Sequence, residues 1–567
     1  MSGFTRSVSL SALALATLLP LPVLAADLAG NYLAARQARL GADYDAAIHY
    51  YTRALGDEPR EPLLLDGLIL SQVSAGIVDA AVSPAQRLDS LGVDSQVGHM
   101  ALIVDAVTRG DYAAVLERVA QNRAIGPLVD GLLAAWMELG QGNMGAALER
   151  FDTVAEEPGL ARFARYHKAL ALSFVGDFEG AEALYAGDGE TPVQMTRRSV
   201  LARVEALSQL DRNAGALTLL GNIFGSDPGT EIQDLRDRLA AGETLPNTHV
   251  TSVADGVAEV FYSVGAALQQ ETAEAYTLLY ARVATALRPD HVDAILLSGE
   301  LLEDLDRPEL ATRAYRAVPR DNPNFYLAEL GRATALRRAG REDAAIEVLD
   351  QLADAFPTLP KIQASRGDHY RWQGRHREAV QAYGAALDLY SGEDPSKWFV
   401  FYARGMSQER LDNWPEAEAD FRAALALNPD QPNLLNYLGY AMVEKGQNLD
   451  EALTMIERAV ELDSSSGYIV DSLGWAFYQL GRYDEAVEQM ERAAELMPVD
   501  PVVNDHLGDV YWKVGRTREA QFQWARALSF DPEEAEADRI RRKMAAGLDA
   551  VLAEEQKGME TVAADGG

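Results

Sequence analysis

Apolar and small residues recur along this chain at helical spacing, in blocks that repeat. In DSLGWAFYQLGRYDEAVEQMERAAELMP, Leu473, Gly474 and Phe477 share one face of a first helix, and Ala486, Met490 and Ala493 form the i, i+4, i+7 face of a second. GRYDE reads as the turn between them, and Pro498 ends the second helix because it has no amide hydrogen to donate. The next block, DHLGDVYWKVGRTREAQFQWARALSFDP, returns Leu507-Gly508, Gly515, Ala520, Ala527 and Pro532, each 34 residues after its counterpart. Gly474 and Ala486 are small where the two helices must approach, and Ala493 leaves room for the next block to dock.

The same frame runs upstream through Gly340 and Gly374, through Ala311, Ala345 and Ala379, and through Pro289, Pro323 and Pro357. It also settles the meaning of GQGNMG, residues 140–145, which spells the G-x-G-x-x-G of a dinucleotide site. That site needs a strand before it, whereas PLVDGLLAAWMEL is a helix pattern. Gly142 precedes Gly176 by 34 residues and shares the inter-helix slot with Gly340, Gly374, Gly481 and Gly515. The frame covers most of Leu28 to Glu534 in about fourteen units. KGQNLDEA carries one extra residue in its turn, which a loop tolerates.

The blocks in GYIVDSLGWAFYQLGRYDEAVEQMERAAELMP and FYARGMSQERLDNWPEAEADFRAALALNP resemble the tetratricopeptide repeat, with its Leu-Gly, Gly-x-Tyr, Ala, aromatic, Ala and Pro positions. The resemblance weakens in the N-terminal half. It implies an all-α, right-handed superhelical α-solenoid of helix-turn-helix repeats whose first helices line a concave groove. Carried onto this sequence, the groove positions are Phe399, Tyr402, Asn436, Tyr440, Tyr468, Asp471, Trp475, Tyr478, Asp505, Asp509 and Trp512. Aromatics beside short polar groups suit an extended peptide or a partner's helix. The family's carboxylate clamp uses Lys, Arg and Asn, and Asp471 and Asp505 stand at those positions here, so a clamp for a chaperone tail is not expected.

Two stretches interrupt the frame: Ala240 to Gly256, AAGETLPNTHVTSVADG, and the smaller SGEDPSK, Ser391 to Lys397. The resulting expectation is a secretory leader over 1–25, a divergent N-terminal array over 26–230, a junction over 231–257, a C-terminal array over 258–534, a capping helix over 535–556 and a disordered tail over 557–567. The leader rests on Arg6, the apolar run VSLSALALATLLPLPVLAA and small residues at Ala25 and Ala26. Its prolines fit a cleaved segment better than a spanning helix.

Composition narrows the function. The 567 residues are 48% hydrophobic and 24% charged, a globular balance. A net charge of −35 opposes nucleic-acid phosphates and anionic membranes. There is no Cys, hence no disulfide, no thiolate nucleophile and no lipid-anchored N-terminal cysteine. Together with the leader this points to a soluble protein of a bacterial periplasm.

H-E-x-x-H, G-x-S-x-G and P-loop motifs are missing, and the eight His are scattered, the nearest pair being His369 and His376 across a turn. No metal and no cofactor are expected. SSSG, 464–467, reads as helix capping. Trp136, Trp372, Trp414 and Trp524 read as packing residues. The expected function is therefore a non-enzymatic periplasmic scaffold or adaptor for protein or peptide partners, with an envelope protease or envelope assembly as the setting. The alternatives are an enzyme acting on envelope glycan through paired carboxylates, or a self-assembling structural subunit.

Overall fold

The computed structural model describes residues 24–565 apart from 122, 124, 188–192, 226–228, 270 and 391–393, so the expected leader falls almost wholly outside the described residues. Among those described there are thirty-one α-helices and no strand. The fold is an α-solenoid of helix hairpins. Among the described residues no helix is long and apolar enough to cross a membrane.

One backbone angle makes the repeat. Gly142, Gly176, Gly340, Gly374, Gly481 and Gly515 all have φ between 70° and 87°, just past the end of a first helix. At Gly481 the Arg482 amide reaches back to the Phe477 carbonyl at 2.9 Å, closing the first helix in the left-handed manner that releases the chain into the second. Arg375 to Tyr370 and Arg516 to Tyr511 repeat that bond at 2.9 Å. Asp211, Asp306 and Asp412 fill equivalent turns with φ of 57°, 58° and 60°, since a short polar side chain tolerates this region.

The glycine of each first helix opens a hole for a large side chain of the second. A Cβ at Gly367, Gly405, Gly474 or Gly508 would lie 2.5–2.8 Å from Tyr383, Phe421, Met490 or Trp524 respectively, each sixteen residues on. Gly439 meets Ile456, seventeen residues on, and the shift records the extra turn residue. Ala311, Ala345, Ala379, Ala486, Ala493, Ala520 and Ala527 are all fully buried at the close approaches.

The chain divides into two compact units at Val348/Leu349, inside the helix Glu342–Ala355. The stretch 231–257 lies within the first unit. It comprises most of the helix Thr230–Ala240, an irregular run and the start of the helix Val253–Leu268. The irregular run is held by Glu205, which accepts from the Thr248 amide at 3.0 Å, and by Arg288, which donates to the His249 carbonyl at 2.7 Å.

The first unit packs against itself. First helices Pro62–Ser74, Gln96–Thr108, Pro127–Gly140 and Ala161–Phe174 bear on two later helices, Val253–Leu268 and Glu274–Leu287. One apolar core runs through all of them, from Ala35 to Ala294. Gly256 permits the contact, because a Cβ there would lie 2.5 Å from Trp136.

The second unit ends differently from the sequence expectation. In place of one capping helix and a disordered tail, the chain forms two helices, Glu534–Ala546 and Leu548–Asp565. The break is at Gly547, with φ 84°, where the backbone sits against the Trp512 indole so closely that a Cβ would lie 2.5 Å from it.

Candidate binding groove

The expected groove residues fall into three settings along the second unit. Phe399, Tyr402 and Asn436 line one pocket of about 370 Å³ with Trp398, Gln431, Asn433 and Tyr437. Helices Lys397–Glu409 and Pro432–Glu444 supply most of these side chains. Trp398 stacks on Tyr402 at 6.4 Å, and Tyr437 meets Tyr402 edge-on at 5.8 Å. Phe399 is 44% exposed at this rim. The buried Asn436 Oδ1 has no hydrogen-bond partner. Burial and the nearby Glu409 charge push the Tyr437 phenol up to about 12, so it stays neutral.

Farther along, Trp475 lies between two rings, 4.7 Å from Tyr478 and 4.1 Å from His506, and its Nε1 donates to Glu444 at 2.7 Å. Asp471 and Tyr478 are buried, and Asp471 lies 3.0 Å from His506 Nδ1. Burial pulls the His506 pKa down, but the Asp471 charge and hydrogen bond, with Asp505 and Asp509 behind them, leave it above the usual value. Tyr440 is half-buried, and burial together with the Glu444 charge raises its phenol. Tyr468, 63% exposed, faces solvent.

The third setting is filled by the chain itself. Lys543, fully buried, donates to Asp505 at 2.8 Å and to Asp509 at 2.7 Å. Trp524 Nε1 donates to Asp509 at 2.9 Å. Burial, reinforced by Asp505, raises the Asp509 pKa in spite of Lys543. Trp512 Nε1 and Lys513 Nζ both reach Asp549, at 3.0 and 2.6 Å. These carboxylates are tied to the final helices.

Sequence reasoning missed Trp398 and Tyr437. Trp398 follows the insertion over 391–397, where the register is blurred, and Tyr437 sits beside Asn436 on the same helix. It also read Trp372 as packing, whereas Trp372 is 60% exposed at the last position of its helix, with Arg371 at 5.2 Å from the ring. Trp136 and Trp524 are fully buried, and the half-buried Trp414 donates to Gln447 at 2.9 Å. Ser466 takes the cap position of the helix Gly467–Gln479, but its side chain makes no capping bond. Asp500, at the same place in the next repeat, accepts from the Val502 and Val503 amides. His369 Nδ1 lies 2.9 Å from the Ser365 carbonyl. Among the described residues no three His, Asp or Glu side chains converge as a metal-ligand group.

Hairpins with a left-handed turn, a glycine hole and a buried alanine seam define a helical-repeat scaffold. The tetratricopeptide repeat family matches residues 296–360, 365–432 and 402–467 in one form and 470–498 in another, and the chain is a tetratricopeptide-repeat protein. It is 30% identical over 185 residues to a TPR repeat-containing protein of Pseudomonas aeruginosa, covering 32% of this chain and 30% of that one. It is 30% identical over 173 residues to the general transcriptional corepressor ssn6 of Schizosaccharomyces pombe, covering 29% of this chain and 16% of that one. The match thus spans less than a third of either relative. Among solved structures, the Cut9-Hcn1 hetero-tetramer of the APC/C is similar at 15% identity over 91% of this chain and 96% of that one, with a TM-score of 0.39. Yeast Tom70 is similar at 13% identity over 94% and 97%, with a TM-score of 0.34.

Proposed function

We propose that this protein is a non-enzymatic periplasmic scaffold that holds a protein or peptide partner in the groove of its second unit, as an adaptor for an envelope protease or for envelope assembly. Tetratricopeptide repeats make a protein-interaction scaffold the general reading. The observation that carries the specific one is the pocket of Trp398, Phe399, Tyr402 and Tyr437, with Asn436 in its wall and the Asn436 Oδ1 unpartnered. Aromatic walls give anchoring area at little entropic cost, and a buried free acceptor favours a donor from the ligand, such as a peptide N–H. The leader pattern supports the periplasmic setting, and the absence of cysteine argues against a lipid anchor there.

Affinity capture from the periplasm tests this reading, comparing wild type with Phe399→Ala plus Asn436→Ala. These positions suit the test better than Trp475 and Tyr478, whose rings stack internally. A specific partner should be lost at unchanged helical content. An identical captured set would sink the groove assignment.

A further inference from the structure

In the first unit, the helix Glu274–Leu287 carries a cation that packing leaves uncompensated. Arg282 is 8% exposed. Its Nε donates to the Ser74 carbonyl at 3.3 Å, and its guanidinium lies over Gly76, where a Cβ would come within 3.3 Å of Cζ. Among the described residues no carboxylate pairs with it. Arg198 shows the contrast, since it is gripped by Glu259 at 2.7 Å and Asp293 at 2.6 Å. Beside Arg282, the buried Tyr44 phenol and Ser74 hydroxyl face each other, and neither has a further partner among the described residues.

Arg282 forms part of the wall of a cavity of about 410 Å³, otherwise lined largely by apolar side chains including Ile77, Ile295, Leu310 and Ala314. Arg313 and Asp45 also line it, but they pair with each other at 3.2 Å and both are exposed, so their charges cancel at the rim. Burial, with the Arg313 charge acting the same way, draws the Arg282 pKa down to about 10, so the group is still a cation at neutral pH. A desolvated cation without a counter-charge is costly, and its unused N–H groups make a ready fork for a carboxylate.

We propose that this cavity binds a small organic anion, one carboxylate on an apolar body, with the carboxylate on Arg282 and the body against Ile77, Ile295 and Leu310. A single uncompensated positive charge calls for a monovalent anion, and the apolar lining favours a hydrocarbon body over inorganic phosphate. The volume lies within the ~300–1,000 Å³ range of small-molecule sites. The carboxylate has two possible sources, a free carboxylic acid or the C-terminus of a short apolar peptide.

Thermal unfolding of the full chain with hexanoate, hexanol or inorganic phosphate tests the assignment. Hexanoate should raise Tm in a saturable way, with hexanol and phosphate at equal concentration giving no comparable shift. Arg282→Met should abolish the hexanoate shift, and the ligand-free variant should melt no lower than wild type, which a purely structural arginine would not permit. A peptide ending in Leu, free or amidated at its C-terminus, separates the sources: a larger shift for the free peptide than for hexanoate assigns the site to chain termini, and the reverse to free acids. Equal shifts with hexanoate and hexanol on wild type would overturn the proposal even if Arg282→Met did not fold. So would a hexanoate shift that survives Arg282→Met, or a larger shift with phosphate.

Discussion

Gly481 carries φ 74° at the turn between paired helices, and its counterparts at 142, 176, 340, 374 and 515 do the same job. Gly481→Val should cost ~1–2 kcal/mol because a β-branched residue resists the left-handed region, and Gly481→Asn should cost less; denaturant unfolding measures both. This slot was legible in the sequence wherever glycine fills it and illegible at Asp306 and Asp412, where the same angle hides behind an ordinary residue. The glycine holes were legible in kind, as small residues at a close approach; their occupants, Met490 and Trp524, were not. Asp505 and Asp509 show the limit. Both sit at groove positions, yet their partner Lys543 comes from 34 or more residues away, and no local pattern announces such a pairing.

His506 makes a further prediction at this scale. Its folded pKa lies above the ordinary value of 6.5, so its pairing with Asp471 contributes stability in full below that value and loses it as pH rises through the raised pKa. As pH rises from below 6.5 through the raised pKa, the Tm of wild type should therefore fall relative to that of His506→Gln. Parallel Tm profiles would contradict it.

At the scale of elements, the helices Val253–Leu268 and Glu274–Leu287 decide what the first unit can do. Periodicity identifies them as helices, but it carries no sign that earlier first helices pack on them. Their fit depends on Gly256 under Trp136 and on Glu259, which accepts from Tyr166 at 2.8 Å and from Arg198 at 2.9 Å and lies 3.2 Å from His291. Burial alone would raise the Glu259 pKa, but the Arg198 charge and His291 hold it well below the carboxylate range. Glu259→Gln should destabilise the first unit by ~3–5 kcal/mol, as expected when one partner of a buried pair is removed. Hydrogen exchange over residues 253–287 would register the loss as faster exchange there than in the helices beyond 400.

For the whole molecule, the repeat frame and the helical class were readable because each hairpin repeats its own local chemistry. The site was readable only in part. The sequence placed Phe399, Tyr402 and Asn436 in a groove, and these three do share a pocket, whereas Trp475 and Tyr478 stack on one another and Asp505 and Asp509 hold the terminal helices. The proposed partner site is the open pocket of the second unit, while in the first unit earlier helices cover much of the inner pair and leave the Arg282 cavity open.

The most direct measurement places a photo-crosslinking residue at Phe399 of the full chain, with exposed Val175 of the first unit as the control position. A discrete adduct with a protein partner is expected from position 399, lost when Asn436→Ala is added, with no such adduct from position 175. An adduct from 175 with none from 399 would contradict it.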